Sequence, residues 1–269
     1  MSDFSRATIL EAVSLLESKT HGKVERVALR FSLEEVLTED LNYLREKANA
    51  IARHLIKNPE QKGPKGANLT FELIDHLVSE VPDEDDWIYS DDQYSELRNC
   101  LVRDGYEIEN GSLKSRLPED VNLSEKESEL ENLLEENKFE VAANHLDQAF
   151  SCHARGQWES ANAQIRSFIE SLFDSISEKL IPKDELRDSS HARREHLAQI
   201  DPPFLLPCLN EWVVGDKGGF VQGFWKRLCP DGAHPGLSDR DDSTLRLHLA
   251  VLLAHHFLRR LSEYPRRGA

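Results

Sequence analysis

Apolar residues recur three and four positions apart along most of this chain, the spacing of a helix with one buried face. Ile9, Leu10, Val13 and Leu16 predict a first helix over residues 7–19, followed by an irregular piece around His21 and Gly22. Leu33, Val36, Leu37, Leu41, Leu44, Ala48, Ile51 and Leu55 predict one long helix over 33–57, opened by a capping box of Ser32 and Glu35 and ended at Asn58-Pro59. Further helices are expected over 68–81, capped by Asn68 or Thr70, and over about 92–103, stopped by Gly105. Asn110-Gly111 between two short segments is a strong hairpin signal. Helix, helix, hairpin is the order of a winged-helix-like unit. The acidic runs at 83–86 and 91–92 read as solvated breaks, and 117–125 reads as a linker.

Beyond the linker every pattern is helical. Residues 126–137 are rich in glutamate around Leu130, Leu133 and Leu134, and 139–155 carry Val141, Leu146, Ala149 and Phe150 up to Gly156. The longest amphipathic run covers 157–181, from Trp158 through Ile165, Phe168, Ile169, Leu172 and Phe173 to Leu180, and Pro182 closes it. The charged stretch 183–200 is either an exposed helix or a mobile loop, and an apolar segment follows from Phe204 to Val214. After glycines 215, 218, 219 and 223, a turn or two of helix leads to Arg227. Asp239 then caps a last helix through Leu245, Leu249, Leu252, Leu253 and Leu261, with Asp241 and Asp242 in its first turn. The fold class expected is mainly α: an N-terminal helical and winged interaction domain over 1–120 and a helical domain over 126–265.

No apolar run approaches the roughly 20 residues of a membrane helix, and the opening ten residues lack the pattern of a secretory signal. A cytoplasmic protein with no membrane partner is the expectation. Cys100, Cys152, Cys208 and Cys229 form no CxxC pair and no zinc pattern, so reduced thiols, no metal and no cofactor are expected. The net charge of −16 argues against a broad nucleic-acid-coating surface. It leaves room for a small phosphate site and suits a basic partner.

The connector Trp225 to Gly236 carries the candidate chemistry. Arg227 and His234 stand on one short irregular stretch with two prolines and two glycines. A guanidinium can fork onto phosphate oxygens, and an imidazole can move a proton near neutral pH. The same residues also fit an ordinary helix–helix loop. Arg166 and Glu170 lie four apart on the 157–181 helix, either pointing at the Arg227/His234 cleft or forming a surface ion pair. His255-His256 reads as a packed or capping pair rather than a metal site, and Cys152-His153 as a buried thiol without a third catalytic partner. Trp158, Trp212 and Trp225 read as core or interface aromatics. The N-terminal helix over 92–103 offers only Arg98 and Arg103 as cations, so a DNA reader is the weaker reading of the winged unit.

Residues 139–264 resemble the HEPN superfamily (higher eukaryotes and prokaryotes nucleotide-binding domain), and look most like the C-terminal domain of bacterial abortive-infection proteins. The likeness lies in Ala149-Phe150 through Gly156-Gln157-Trp158, in Gln164 to Glu170, and in Arg227 to His234 with the following Pro235 to Asp239. The stretch Arg103 to Ile108 resembles what precedes that domain in such proteins. The family motif is an Arg, four to six residues, then a His. The resemblance implies a four-helix bundle that forms a homodimer with two motifs on one cleft. It implies a metal-independent endoribonuclease acting on RNA, in phage defence or as a toxin with an antitoxin or defence-system partner. His234 would then be the general acid or base and Arg227 would hold the phosphate. Leu228 stands where many active members carry a polar residue, which leaves a second expectation, a catalytically silent dimerisation or interaction protein.

Overall fold

A computed structural model describes residues 4–38, 40–82, 94–116, 123–215, 218–228 and 239–264. The chain is mainly α, with a single two-stranded sheet among the described residues. It divides into two compact units, one up to Glu127 together with Ala154–Gly156, the other Ser128–His153 together with the residues from Gln157 onward. Among the described residues no helix is long and apolar enough to cross a membrane.

The first unit begins with α1 (Arg6–Ser14), which runs on into a 3-10 turn, Leu15–Ser18. A second helix, α2 (His21–Arg30), occupies the stretch expected to be irregular. The hydroxyl of Thr20 caps it by accepting from the N–H of Lys23. The single helix expected over 33–57 is not formed. Ser32 has φ +55 and closes α2, with the N–H of Leu33 donating to the carbonyl of Ala28 at 2.8 Å. The residue read as an N-cap therefore ends the preceding helix, in the left-handed position beyond its C-terminus. A 3-10 turn, Glu34–Val36, follows, and α3 begins only at Leu44, running to Lys57. Its glutamate-based cap exists one segment later than expected. The carboxylate of Glu46 accepts from the N–H groups of Asn42 and Tyr43, at 3.1 Å each.

Asn68 caps α4 (Leu69–Val78), its side-chain oxygen 2.9 Å from the N–H of Thr70. Next comes α5 (Ser95–Arg103), closed by Gly105 at φ +88. The hairpin β1 (Tyr106–Glu109) and β2 (Ser112–Ser115) forms where Asn110-Gly111 predicts it. Both turn residues have positive φ, 52 and 69, as a type I′ turn requires. Asp75 on α4 anchors the hairpin by accepting from the N–H of Leu113 at 2.9 Å. The core centres on Phe4, Ile9, Leu16, Ile51, Leu55 and Leu73. The expected acidic runs at 83–86 and 91–92 lie outside the described residues, as does most of the expected linker.

The divide between the units falls within α6 (Leu123–Asn137). Next, α7 (Glu140–Ala154) and α8 (Trp158–Leu180) form a helical hairpin turned at Gly156, φ +69. The charged stretch after Pro182 contains a helix, α9 (Ser190–Leu197), rather than a loop throughout. Two further helices complete the unit, α10 (Phe220–Leu228) and α11 (Arg240–Glu263). α8 and α11 are the central pair, with the rings of Phe173 and Phe257 5.2 Å apart. Ile165, Phe168, Leu172, Leu247, Ala254 and Leu258 are buried around that contact. The second unit thus places α10 and α11 in series around the connector that carries the candidate chemistry.

Candidate functional site

α10 is held by its first turn. The N–H groups of Phe220 and Val221 donate to the carbonyls of Asn210 (2.7 Å) and Glu211 (3.0 Å), so two of the orphan donors of a helix start are satisfied by the preceding segment. Gly219 sits so close to that segment that a Cβ there would lie 2.9 Å from the Cα of Trp212. Val221, Phe224 and Leu228 then recur at helical spacing and are buried in the core. Leu228 is the third member of that stripe, at 1% exposure. This explains an apolar residue directly after Arg227: the position faces the core, and a polar group there would need a buried partner.

Arg227 lies in the last turn of α10, with its side chain 48% exposed. Its guanidinium donates to the Oδ1 of Asp242 in the first turn of α11. The other oxygen of the same carboxylate accepts from the Nε of Arg246 at 2.7 Å. The N–H of Asp242 in turn donates to Oδ1 of Asp239, the helix cap, at 2.7 Å. The carboxylate of Asp242 is thus shared between two guanidiniums. A guanidinium has five donors in a fixed fork, so Arg227 keeps N–H groups for a phosphate after pairing with Asp242. The ion pair also joins the two ends of the connector 229–238. His234 and Cys229 belong to that connector and lie outside the described residues.

Arg166 and Glu170 behave differently from the surface pair that their spacing allows. The guanidinium of Arg166 lies over the ring of Trp225, 5.3 Å from its centroid, and that of Arg194 lies 4.4 Å from the same centroid. Trp225 and Arg227 are two residues apart, which on an α-helix separates their side chains by about 200°. Arg166 therefore packs on a different side of α10 from Arg227. Glu170 is half-buried and makes no hydrogen bond or ion pair to another described residue. Neither Arg166 nor Glu170 pairs with Arg227.

No family model, no curated protein and no solved structure matches the chain.

The remaining candidates are structural. His153 is fully buried, with Nε2 2.9 Å from the hydroxyl of Thr244 and the ring of Trp158 edge-on at 5.0 Å, so it ties α7 to α11. His255 meets Glu129 at 2.5 Å and His256 meets Arg260 at 2.9 Å, each with its own partner. No group of His, Cys, Asp and Glu among the described residues has the arrangement of a metal site. In the first unit both cations of α5 are engaged internally. Arg98 donates to the carbonyl of Pro82, and Arg103, 5% exposed, donates to Ser5 and pairs with Asp104. Asp104 also accepts from the N–H of Ser5 (2.7 Å) and the hydroxyl of Thr8 (2.6 Å). Burial disfavours the charged form of Arg103, yet the carboxylates of Glu127 and Asp104 outweigh it and raise its pKa. A DNA reader built on α5 lacks its arginines.

Sequence reasoning missed one buried fork. Arg260 on α11 donates to both oxygens of Glu211, at 2.5 and 2.7 Å, and to the carbonyl of Phe204 at 2.9 Å. Glu211 also accepts from the N–H of Leu206 at 2.8 Å. This fork fixes the segment on which α10 starts. The two residues are far apart in sequence, and no local pattern announces them.

Proposed function

We propose that the chain is a metal-independent endoribonuclease of HEPN type, the effector of an anti-phage or toxin–antitoxin system, working in the cytoplasm as a homodimer through its C-terminal domain. The observation that carries the reading is the placement of Arg227. It stands half-exposed at the end of α10, held by Asp242 from the start of α11, at the two ends of the connector that contains His234. In this reading the ribose 2′-OH attacks the adjacent phosphorus and leaves a 2′,3′-cyclic phosphate and a 5′-OH end. Arg227 binds the phosphate and stabilises the charge that builds up on it. His234 moves the proton, a role worth roughly 10²–10⁴ in rate.

Cleavage of total RNA and of tRNA in EDTA, by wild type beside Arg227→Ala and His234→Ala, tests this. Cleavage by wild type alone, with cyclic-phosphate ends, is the expected result. Cleavage that survives both substitutions overturns the assignment of these residues. The burial of Leu228 favours a second reading, a silent interaction protein with the same bundle. Under it, induction in a bacterial host is harmless for wild type and for His234→Ala alike. Under the first reading, wild type is toxic and His234→Ala relieves it.

A further inference from the structure

The turn between α6 and α7 is tight. Lys138 has φ +60, and the N–H of Phe139 donates to the carbonyl of Leu134 at 3.0 Å. Two helix faces are thereby set side by side, Glu131, Leu134 and Glu135 on α6, and Glu140, Ala143, Asn144 and Asp147 on α7, with Lys138 in the turn between them. The first set has the i, i+3, i+4 spacing and the second the i, i+3, i+4, i+7 spacing of a single face. Between them lies an open groove of about 790 Å³. Its floor is apolar, built from Leu134, Phe139, Ala143 and Phe150, and its rim carries the exposed carboxylates of Glu131, Glu135, Glu140 and Asp147 against one ammonium, Lys138.

We propose that this groove docks a basic amphipathic helix of a partner protein. Three observations converge on that occupant. The rim carries four carboxylates to one ammonium over an apolar floor, complementary to a helix with leucine-type residues on one side and lysines flanking them. The carboxylates are spaced by helical turns. Glu131 and Glu135 are about 6 Å apart along their axis, and Glu140 and Asp147 about 10 Å, which matches lysines one and two turns apart on a facing helix. Finally, Phe139 already accepts a cation from this chain. The Nζ of Lys179 lies 5.9 Å from its ring centroid and hydrogen-bonds Asn137 at 2.6 Å. The proposal does not depend on the nuclease reading, because none of these residues belongs to the Arg227 cluster.

The test uses the full chain and a fluorescein-labelled peptide of leucine and lysine, about 14 residues and so ~20 Å of helix, with leucines at helical spacing. Anisotropy is expected to report saturable binding. Glu135→Lys combined with Asp147→Lys should weaken it about tenfold or more through rim repulsion. Ala143→Phe, which fills the floor, should weaken it likewise. Glu17→Lys combined with Glu34→Lys changes net charge equally at exposed positions that do not line the groove, and should leave the affinity within about twofold, since salt screens exposed charges. Circular dichroism confirms that each variant is folded. Equal weakening by the two charge reversals overturns the proposal, because the peptide then reads net charge alone. So does equal binding of an isomer with leucine and lysine alternating, and so does displacement by spermine at matched ionic strength, which would indicate a site for small polycations.

Discussion

Arg227 and Arg246 share the carboxylate of Asp242, one on each oxygen, but they stand in different surroundings. Arg227 is 48% exposed and Arg246 10%. Removing the exposed arm costs little, because a solvated ion pair is worth ~0–1 kcal/mol. Removing the shared carboxylate leaves the largely buried arm without its acceptor, at about 1–3 kcal/mol. Urea denaturation should therefore show Arg227→Ala within ~1 kcal/mol of wild type and Asp242→Ala clearly below it. That order matters for the nuclease assay: a loss of cleavage in Arg227→Ala is then a loss of chemistry in a folded protein.

The fork between Arg260 and Glu211 makes a pH prediction. Burial pushes the Glu211 carboxyl up, but the hydrogen bonds from Arg260 and the N–H of Leu206, with the charge of Arg260, outweigh it, and its pKa falls below the usual glutamate range. A carboxylate with a lowered folded pKa contributes stability that is complete above its unfolded value. It is lost as pH falls through the folded value. Urea midpoints measured downward from pH 6 should thus decline below about pH 4.3, the ordinary glutamate value. Glu211→Gln removes that contribution and should flatten the decline. Truncation to Glu211→Ala strands the Arg260 charge in the core and should cost about 3–5 kcal/mol at neutral pH.

The thiols should separate by burial. Cys100 is 1% exposed, and burial pushes its pKa up to about 12 despite the positive charge of Arg103 nearby. A thiolate is the reactive form, so Cys100 should resist a maleimide at pH 7.5 until the protein unfolds. Among the three described thiols, Cys208 is exposed and should label first, with the half-buried Cys152 following more slowly. Peptide mass mapping against time of labelling checks the order. Native labelling of Cys100 at the rate of Cys208 would contradict the packing of α5.

Where the determining interaction is local, the chain reads correctly from its residues alone. The Asn110-Gly111 turn, the Asn68 and Asp239 caps and the amphipathic span of α8 all depend on neighbours within a turn or two. Ser32 misleads for the same reason. Ser-x-x-Glu is a helix start by local chemistry, but Leu33 bonds back to Ala28 and makes Ser32 a helix end. Burial of Leu33 in the core accompanies that turn, and no local pattern contains it. Arg227 is legible as a candidate because it needs only its place before a proline- and glycine-rich connector. Asp242 is legible as a first-turn acid but not as the anchor of Arg227. Arg166 is misplaced by spacing alone, because Trp225, which it covers, arrives from another helix.

The last prediction concerns what sets α10 and, through it, Arg227. Gly219 precedes the helix, and a Cβ there would lie 2.9 Å from the Cα of Trp212, 3.0 Å from the carbonyl oxygen of Glu211 and 2.7 Å from the side-chain oxygen of Gln222. Two of those neighbours are backbone, held by the Phe220 and Val221 hydrogen bonds and by the Glu211 fork, so they cannot give way as a side-chain end would. Gly219→Ala should therefore push the start of α10 off the 210–212 segment and cost about 1–3 kcal/mol, the usual size of an overpacking penalty. Gly22→Ala, with open space around it and a helical backbone, is the matched control and should be neutral or stabilising. If both substitutions leave the urea midpoint unchanged, the close approach at Gly219 does not hold α10. If only Gly219→Ala lowers it, and RNA cleavage falls in the fraction that remains folded, the position of Arg227 depends on that contact.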